Sequence, residues 1–365
     1  MENITKKRVK HLREKLKDQD FDTLLVLSDE NRRYLSGFTG KDGQFDESAG
    51  ALFISSTEQL LATDSRYEMQ AQKEAPQCEL YRHKRGLAQA LPEILEMLGT
   101  KRLGFESVRL SCQQFEKFKE EFKKRGGSVS FTPTEGLVEV LRMIKGQEEL
   151  EAIRQSLAIS ESIFENIRNK LEKGKTEKEL AWNIEKAMRE KGAEAIAFPT
   201  IVASGANAAS PHAIPTDRSI EEGEPLLFDW GCILNGYCSD ISRTIVIGNP
   251  DDTFKKVYQV VQDAQSMAIE AIKPGMSTQA VDKIARQHIA ANGFGDYFGH
   301  GLGHGVGLAT HEKPHLSPHK PTNLELGMVT TVEPGIYIPG WGGVRLENMV
   351  VVEEHGATVL NRLPV

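Results

Sequence analysis

The segment PLLFDWGCILNGYCSDISRTIVIG, residues 225–248, predicts a β-hairpin around which the second half of the chain is organised. Two apolar runs flank Asn235-Gly236, and this pair favours a two-residue turn in which both positions have φ above zero. A turn of that length sets the register of the two strands, so that Leu234 faces Tyr237.

The same register predicts where the two aspartates of the hairpin lie. Asp229 faces Ser242, and Asp240 projects from the same face as Asp229, as a diagonal neighbour about 7 Å away at Cβ. Two carboxylates with this spacing can share a pair of metal ions. Cys232 and Cys238 fall on opposite faces of the ribbon, which argues against a thiolate zinc site there.

A second candidate site lies in GHGLGHGVGLATHE, residues 299–312, within a region (300–319) that holds five of the ten histidines. Glycine at every second position disfavours a helix, so His300 and His304 do not form a helical chelate. In an extended chain these two side chains lie about 13 Å apart, so at most one of them binds a given ion. A lone histidine is more often a hydrogen-bonded structural residue, but alternating glycines beside several imidazoles favour a site.

Two glutamates, Glu333 in GMVTTVEPGIYI and Glu347 in GGVRLENMVVV, lie among apolar residues of predicted strands, where an unpaired carboxylate is costly. Arg345 shares a face with Glu347 and could supply the compensating charge alone. The alternative is a pair of divalent ions, for which Mn²⁺ suits the carboxylate-rich ligand set and Co²⁺, Fe²⁺ or Zn²⁺ are also suitable. The ligands would be Asp229, Asp240, His304, Glu333 and Glu347.

The first part of the chain alternates strands with helices, which predicts a small α/β domain. The predicted strands are 21–28, 51–55, 59–63, 103–106 and 128–132, and the predicted helices are 6–19, 87–98 and 112–124. Long helices follow, over 137–171 with a break near Gly146 and over 177–191. We therefore predict one domain over residues 1–132 and a second over 133–365.

The second domain contains a weak internal repeat. LEKGKTEKEL at 171–180 aligns with IKPGMSTQAV at 272–281, so that Gly174 matches Gly275 and Thr176 matches Ser277 as helix N-caps. Any two helices that follow a turn could align in this way. If the repeat is real, the domain consists of two helix-plus-strand halves that face each other.

Composition excludes several classes of protein. The 365 residues carry 45 basic and 52 acidic side chains, a net charge of −7, so the chain shows no electrostatic footprint for nucleic acid. No apolar run is long enough for a membrane span or a secretory signal, and four scattered cysteines do not make a disulfide framework, so we expect a cytoplasmic protein. P-loop, dinucleotide-binding and serine-hydrolase motifs are absent.

The ordered motifs FDWGCILNGYCSDISRT, HGLGHGVGLATHE, TVEPGIYI and GGVRLEN resemble those of the M24 metallopeptidases, the family of methionyl aminopeptidase, Xaa-Pro aminopeptidase and prolidase. Segments 31–40, 63–72 and 141–156 resemble the N-terminal domain and linking helix of its prolidase and creatinase-like branch. The resemblance implies an α+β protein with a C-terminal pita-bread fold and a smaller N-terminal α/β domain. The pseudo-symmetry of that fold would explain the repeat.

The resemblance also implies roles for residues of this chain. Asp229 would bind one ion, Asp240 and Glu347 would bridge two, and His304 and Glu333 would complete the second. His212 and His311 match histidines that contact the reacting amide, His300 matches a further pocket histidine, and Arg345 matches an arginine that supports the bridging carboxylate. Glu333 would also carry the proton to the leaving nitrogen. Asn348 departs from the acidic residue common in relatives, which affects only the surroundings of the ligands.

The implied activity is hydrolysis of Xaa-Pro bonds by a homodimer with two divalent ions, of which Mn²⁺ is the expected one, acting on small peptides with proline in the second position. Dipeptides are the expected substrates, as for prolidase, and an Xaa-Pro aminopeptidase acting on longer peptides is the nearest alternative. A metal-free creatinase-like hydrolase and a non-catalytic peptide-binding module are the others. Both conflict with the intact set of ligand positions.

Overall fold

The computed structural model describes residues 4–43, 47–125 and 128–365. The chain divides into two compact units, Met1–Arg142 and Met143–Val365. The boundary that the sequence predicts, between residues 132 and 133, lies before this division, since the last strand and short helix of the first unit continue to Arg142. Within the described ranges, none of the helices combines the length and the apolar character that a membrane span requires.

The first unit is a six-stranded mixed sheet with helices. Its strands are β1 (Thr23–Val26), β2 (Ala51–Ser55), β3 (Gln59–Thr63), β4 (Glu79–Arg82), β5 (Arg102–Glu106) and β6 (Ser130–Thr134), in the order β4-β3-β2-β1-β5-β6. Its helices are α1 (Ile4–Leu16), α2 (Asp29–Ser36), α3 (Glu68–Glu74), α4 (Leu87–Met97), α5 (Cys112–Lys124) and α6 (Glu139–Arg142). Strand β1 pairs antiparallel with β2 and parallel with β5.

The local signals of this unit are those expected from its sequence. Helix α5 begins with the predicted capping box, in which the Ser111 side chain accepts from the backbone of Gln114 and the Gln114 side chain accepts from the backbone of Ser111. Strands β1 and β2 are buried along their whole length, as their apolar runs predict. The core of the unit packs α4 and α5 on this sheet through residues such as Leu91, Phe118 and Phe53.

The second unit contains four long helices and several small sheets. The helices are α7 (Gln147–Arg168), α8 (Glu177–Glu190), α9 (Asp252–Ala271) and α10 (Thr278–Ala291). The strands are β7 (Ala195–Ile196), β8 (Ile201–Ser204), β9 (Pro225–Trp230), β10 (Cys232–Leu234), β11 (Tyr237–Cys238), β12 (Ile241–Val246), β13 (Gly303–Gly305), β14 (Glu312–Leu316), β15 (Val329–Val332), β16 (Gly335–Ile338), β17 (Gly342–Arg345), β18 (Asn348–Glu353) and β19 (Gly356–Val359). Two 3₁₀ turns cover Gly205–Ala209 and Gly295–Tyr297.

The predicted hairpin is present in the predicted register. Asn235 and Gly236 have φ of 51° and 81°, and Leu234 pairs with Tyr237. The ribbon is split at Gly231, because β9 and β12 belong to one sheet and β10 and β11 to another. A Cβ atom on Gly231 would overlap the carbonyl oxygen of Ser239, so the crossing requires glycine at this position.

The internal repeat is visible in matching backbone contacts. Gly174 donates its N–H to Ile220 O at 3.0 Å, and Gly275 donates to Leu324 O at 2.7 Å. Both glycines have positive φ, 89° and 82°, which is why glycine recurs at this point of the turn. One hydrophobic core lies mainly under α7 and α8 and the other under α9 and α10, so each repeat supplies one helix layer.

Candidate metal centre

The four predicted acidic ligands occupy equivalent positions in the two repeats. Asp229 lies in β9 and Glu333 directly follows β15, whereas Asp240 directly precedes β12 and Glu347 directly precedes β18. The spacing from Ile220 to Leu324 is the same as that from Asp229 to Glu333. Sequence reasoning places both glutamates within strands, but they lie where the chain leaves one sheet for another. At such crossings side chains can turn towards a common centre.

Three of the predicted ligands form a compact group of donor atoms. One atom each from Asp240, His304 and Glu347 lies within 4.8 Å of the others, and all three residues are buried or nearly so. His304 Nε2 is 3.2 Å from Glu333 Oε1 and 3.6 Å from Asp240 Oδ2. His304 Nδ1 donates to Gly305 O at 3.1 Å, which leaves Nε2 as the nitrogen that faces the carboxylates.

Burial and mutual repulsion control the protonation of this centre. Burial, followed by the charges of Glu347 and Asp229, raises the pKa of Asp240 well above its ordinary value, and burial with the charges of Glu333 and Asp229 does the same to Glu347. Burial also disfavours ionisation of Glu333, but the hydrogen bond and charge of His304 outweigh it and lower the pKa of Glu333 to about 2. Burial lowers the pKa of His304, but the hydrogen bond and charge of Glu333 outweigh it and raise this pKa to about 9. The centre attracts positive charge.

The chemistry of the donor set fits a divalent cation. Asp229 Oδ1 and Glu347 Oε1 are buried carboxylate oxygens with no hydrogen-bond partner among the described residues. A buried carboxylate oxygen without a donor is costly, and a cation is the partner that would satisfy it. Several carboxylates with one imidazole suit Mn²⁺ or another ion of intermediate hardness. The predicted ligands therefore fit one or more metal ions.

Arg345 contacts Asp229 directly and reaches Glu347, a bridging carboxylate implied by the resemblance, only indirectly. Its Nη2 donates to Asp229 Oδ2 at 2.6 Å, so the guanidinium pairs with Asp229 and not with Glu347. Its Nε donates to Ser242 Oγ at 2.8 Å, and Ser242 Oγ in turn donates to Glu347 Oε2 at 2.8 Å. Arg345 thus reaches Glu347 only through Ser242. A single guanidinium cannot offset four acids that are buried or largely buried, which argues against the alternative in which Arg345 alone compensates Glu347.

The two histidines predicted to contact the reacting amide both line a cavity of about 810 Å³ above the acidic group. The rings of His311 and His304 are 4.1 Å apart between centroids. Burial and the neighbouring charge of His304 lower the pKa of His311 to about 4, so this imidazole is neutral near pH 7. His212 lies on the loop that follows the 3₁₀ turn and is exposed to the cavity.

The third predicted pocket histidine, His300, is held by its neighbours. Its Nδ1 is 2.8 Å from Gly301 O and its Nε2 is 3.0 Å from the hydroxyl of Tyr337. The Tyr337 hydroxyl also accepts from Arg345 Nη1 at 2.8 Å. Because the Nδ1 proton is donated to Gly301, Nε2 accepts from Tyr337. Both ring nitrogens are engaged, and His300 joins a chain of hydrogen bonds that ends at Asp229.

Four residues of this site were not among those that the sequence predicted. His315 lies opposite His304 in the pairing of β13 with β14, and Lys320, with φ of 50°, also lines the cavity. Tyr337 and Ser242 connect Arg345 to its partners. The hairpin register already places Ser242 opposite Asp229, so that residue was within reach of the sequence. The positions of the others depend on strand pairings and loop conformations that no turn signal in the sequence specifies.

The arrangement agrees with two family models. Residues 151–354 match the model of metallopeptidase family M24, and residues 8–144 match that of the creatinase/prolidase N-terminal domain. The chain is 38% identical over 359 residues to the Xaa-Pro dipeptidase of Pyrococcus furiosus, which covers 98% of each chain.

Solved structures give the same result. A structure described as Xaa-Pro dipeptidase from Bacillus anthracis matches with a TM-score of 0.92 and 37% identity, covering 99% of this chain and 98% of that one. A structure described as X-Pro aminopeptidase from Thermotoga maritima matches with a TM-score of 0.86 and 36% identity, covering 96% of this chain and 98% of that one. With its pita-bread domain, its creatinase/prolidase N-terminal domain and a carboxylate-rich metal centre, the chain belongs to metallopeptidase family M24.

Proposed function

We propose that this metallopeptidase hydrolyses the bond between an amino-terminal residue and proline, with Xaa-Pro dipeptides as its main substrates. The observation that carries the proposal is the convergence of Asp240, His304 and Glu347 within 4.8 Å at a cavity lined by further histidines. The similarity over nearly the full chain to proteins described as Xaa-Pro dipeptidases supports the choice of substrate.

The proposed metal site uses five side chains: Asp229, Asp240, His304, Glu333 and Glu347. When bound, two divalent ions would polarise the scissile carbonyl and lower the pKa of a water molecule at the site. We propose Mn²⁺ because carboxylates dominate the set. Arg345 orients Asp229 and its charge favours the ionised carboxylate against the effect of burial, and Ser242 orients Glu347 through its donated hydrogen bond.

The other groups supply proton transfer and orientation. Glu333, with its pKa lowered to about 2, is ionised at neutral pH and can accept a proton and deliver it to the proline nitrogen as the bond breaks. His311, neutral at the same pH, and His212 can donate hydrogen bonds to the oxygen that gains charge in the transition state. Phe198, Ile201 and Pro211 give the cavity apolar walls that suit a proline ring.

The test compares Ala-Pro with Ala-Pro-Ala as substrates of the Mn²⁺-loaded protein, with Ala-Ala as the control for proline specificity. We expect the highest kcat/KM for Ala-Pro and loss of turnover when a chelator removes the metal. Preference for the tripeptide would sink the dipeptidase proposal. Cleavage of Ala-Ala at a rate similar to that of Ala-Pro would remove the requirement for proline.

The second candidate is an Xaa-Pro aminopeptidase. The similarity to the Thermotoga maritima structure favours it, and a cavity of about 810 Å³ has room for residues beyond proline. Full turnover without metal would instead support the creatinase-like alternative, and inertness with metal loaded would support a binding module. Metal analysis of the same samples separates these outcomes. The homodimer and the cytoplasmic location stay predictions, the first testable by sedimentation.

A further inference from the structure

A fully buried carboxylate outside the metal centre accepts hydrogen bonds from both ends of one loop of the cavity. Glu177 is 0% exposed and lies at the start of α8. Its Oε1 accepts from the backbone N–H and the hydroxyl of Ser204, at 2.7 and 2.9 Å. Its Oε2 accepts from Asn207 Nδ2 at 2.9 Å and from the N–H and hydroxyl of Thr216 at 2.9 and 2.7 Å. Five donors from one loop converge on this side chain.

The loop between these donors carries His212 and forms one wall of the cavity. Residues 211–215 all line the cavity, and both ends of the loop are bonded to Glu177. On the opposite side, Pro211 O accepts from Arg345 Nη1 at 3.1 Å, the same guanidinium that holds Asp229. The loop is therefore fastened at its ends by Glu177 and at its middle by a residue of the metal centre.

Capping of α8 does not explain Glu177. The N-cap is Thr176, and Glu179 already completes the capping box with it. The second repeat provides an internal comparison, because α10 starts after the same glycine turn with Thr278 at the position of Glu177. Thr278 Oγ1 accepts a single bond, from the N–H of Thr322 at 3.1 Å. The turn and helix thus form without a carboxylate.

We propose that Glu177 is a positioning residue for His212, fixing the loop that places this imidazole against the reacting peptide. The inference rests on the proposed function, since it assigns a purpose to His212 in that reaction. An amide at position 177 would keep one acceptor but turn an NH₂ group towards the N–H of Ser204 or of Thr216, so Glu177→Gln loses at least one backbone anchor of the loop without a change in size. Displacement of a catalytic group costs turnover even when substrate binding persists.

The experiment measures amide hydrogen exchange of the peptide spanning residues 204–216, metal content, kcat and KM in Glu177→Gln and in a matched control. The control is Glu161→Gln, a buried carboxylate that accepts from the N–H groups of Arg362 and Leu363, away from the cavity loop. We expect Glu177→Gln to speed exchange in 204–216 at least tenfold and to lower kcat about 10- to 100-fold, with unchanged metal content and little change in KM.

Unchanged exchange in 204–216, or a loss of kcat no larger than in Glu161→Gln, would overturn the inference. If Glu177→Gln fails to fold, Asn207→Ala and Thr216→Val each remove a donor and should show smaller shifts in the same direction; wild-type behaviour of both overturns it too. If the wild-type protein cleaves no Xaa-Pro substrate while exchange responds as expected, the proposed function fails and the anchoring of the loop stands.

Discussion

At the scale of single residues, the acids proposed as metal ligands destabilise the folded protein by repelling one another. Burial is the largest cause of the raised pKa of Asp240, and the charges of Glu347, Asp229 and Glu333 add to it. Each of these acids is retained although it repels the others in a region of low dielectric. Removal of one charge should relieve that repulsion and at the same time remove a proposed ligand. The stability of the metal-free protein should therefore rise while its activity falls.

For Asp240→Asn we predict loss of bound metal and a fall in kcat/KM of at least about 100-fold, since even residues that only support a metal ligand cost 10- to 100-fold. In the presence of a chelator, the thermal midpoint of the variant should exceed that of the wild type. Metal analysis, hydrolysis of Ala-Pro and thermal denaturation check the three parts. Asp252→Asn, at an exposed aspartate paired with Lys255, is the control. Wild-type metal content in Asp240→Asn would contradict the assignment.

The positions of the candidate ligands in the hairpin could be predicted from the sequence, whereas the hydrogen-bond partners of several site residues could not. The turn at Asn235 fixes the position of Asp229 against Ser242 by counting alone, and the structure has that pairing. The partner of Arg345 depends on how strands more than a hundred residues apart come together, so the arginine was matched to its sequence neighbour Glu347 and not to Asp229. His315 was missed for a different reason, because it faces His304 only in the irregular pairing of β13 with β14, whose register shifts next to His304.

At the scale of elements, the alternating glycines of β13 are a packing requirement. A Cβ on Gly303 would overlap the carbonyl oxygen of Thr331 in β15, and one on Gly305 would overlap that of Lys313 in β14. These close approaches hold His304 between two strands. Gly299, in the same sequence pattern, has nothing within 4 Å of a Cβ. The sequence predicts an extended glycine-rich segment but cannot tell which glycines touch backbone.

We predict that Gly303→Ala separates β13 from β15, destabilises the protein by about 1–3 kcal/mol and lowers kcat about 10- to 100-fold by moving His304 from Glu333. Gly299→Ala should match the wild type in both properties. Thermal denaturation and Ala-Pro hydrolysis of the two variants provide the comparison. Equal stability and equal kcat in the two alanine variants would show that the close contact of Gly303 with Thr331 does not explain why glycine is needed in β13.

Longer elements were predicted better than short ones. Helices α4 and α5 lie where the sequence predicts them, because the amphipathic pattern of both and the capping box of α5 are local signals. The helices α2 and α3, of eight and seven residues, and the four-residue strand β4 were missed, since such short segments carry little periodic signal and are stabilised by packing. The split of the hairpin at Gly231 also depends on which sheet each half joins.

At the scale of the whole molecule, the two units respond to different variables. Metal binding would stabilise the second unit, because the proposed ligands all lie there. In the first unit Glu106 is buried, and its carboxylate accepts from the N–H groups of Leu27 and Ser28 at 2.7 Å each and from Asn31 at 2.6 Å. Burial outweighs these bonds and raises the pKa of Glu106 to about 7.

We predict that the wild type loses stability relative to Glu106→Gln as the pH rises from about 4.5 to 7. In this window folded Glu106 keeps a proton that the unfolded chain releases, so each pH unit costs up to about 1.4 kcal/mol and the whole window about 3 kcal/mol. Below the window both states are protonated and the difference is constant; above pH 7 the loss is complete. Calorimetry of both proteins with saturating Mn²⁺ measures the difference in their free energies of unfolding at each pH. Parallel pH profiles for the two proteins would contradict the prediction.

The equivalence of Asp229 with Glu333 and of Asp240 with Glu347 bears on the ancestry of the catalytic unit. A single ancestral half would have carried only one hairpin and one pair of acids, so two such halves had to associate to surround an ion. In the present chain one polypeptide supplies both pairs of acids, so no association of separate halves is needed. The two halves are nevertheless not identical, since Glu177 belongs to the first and His304 to the second.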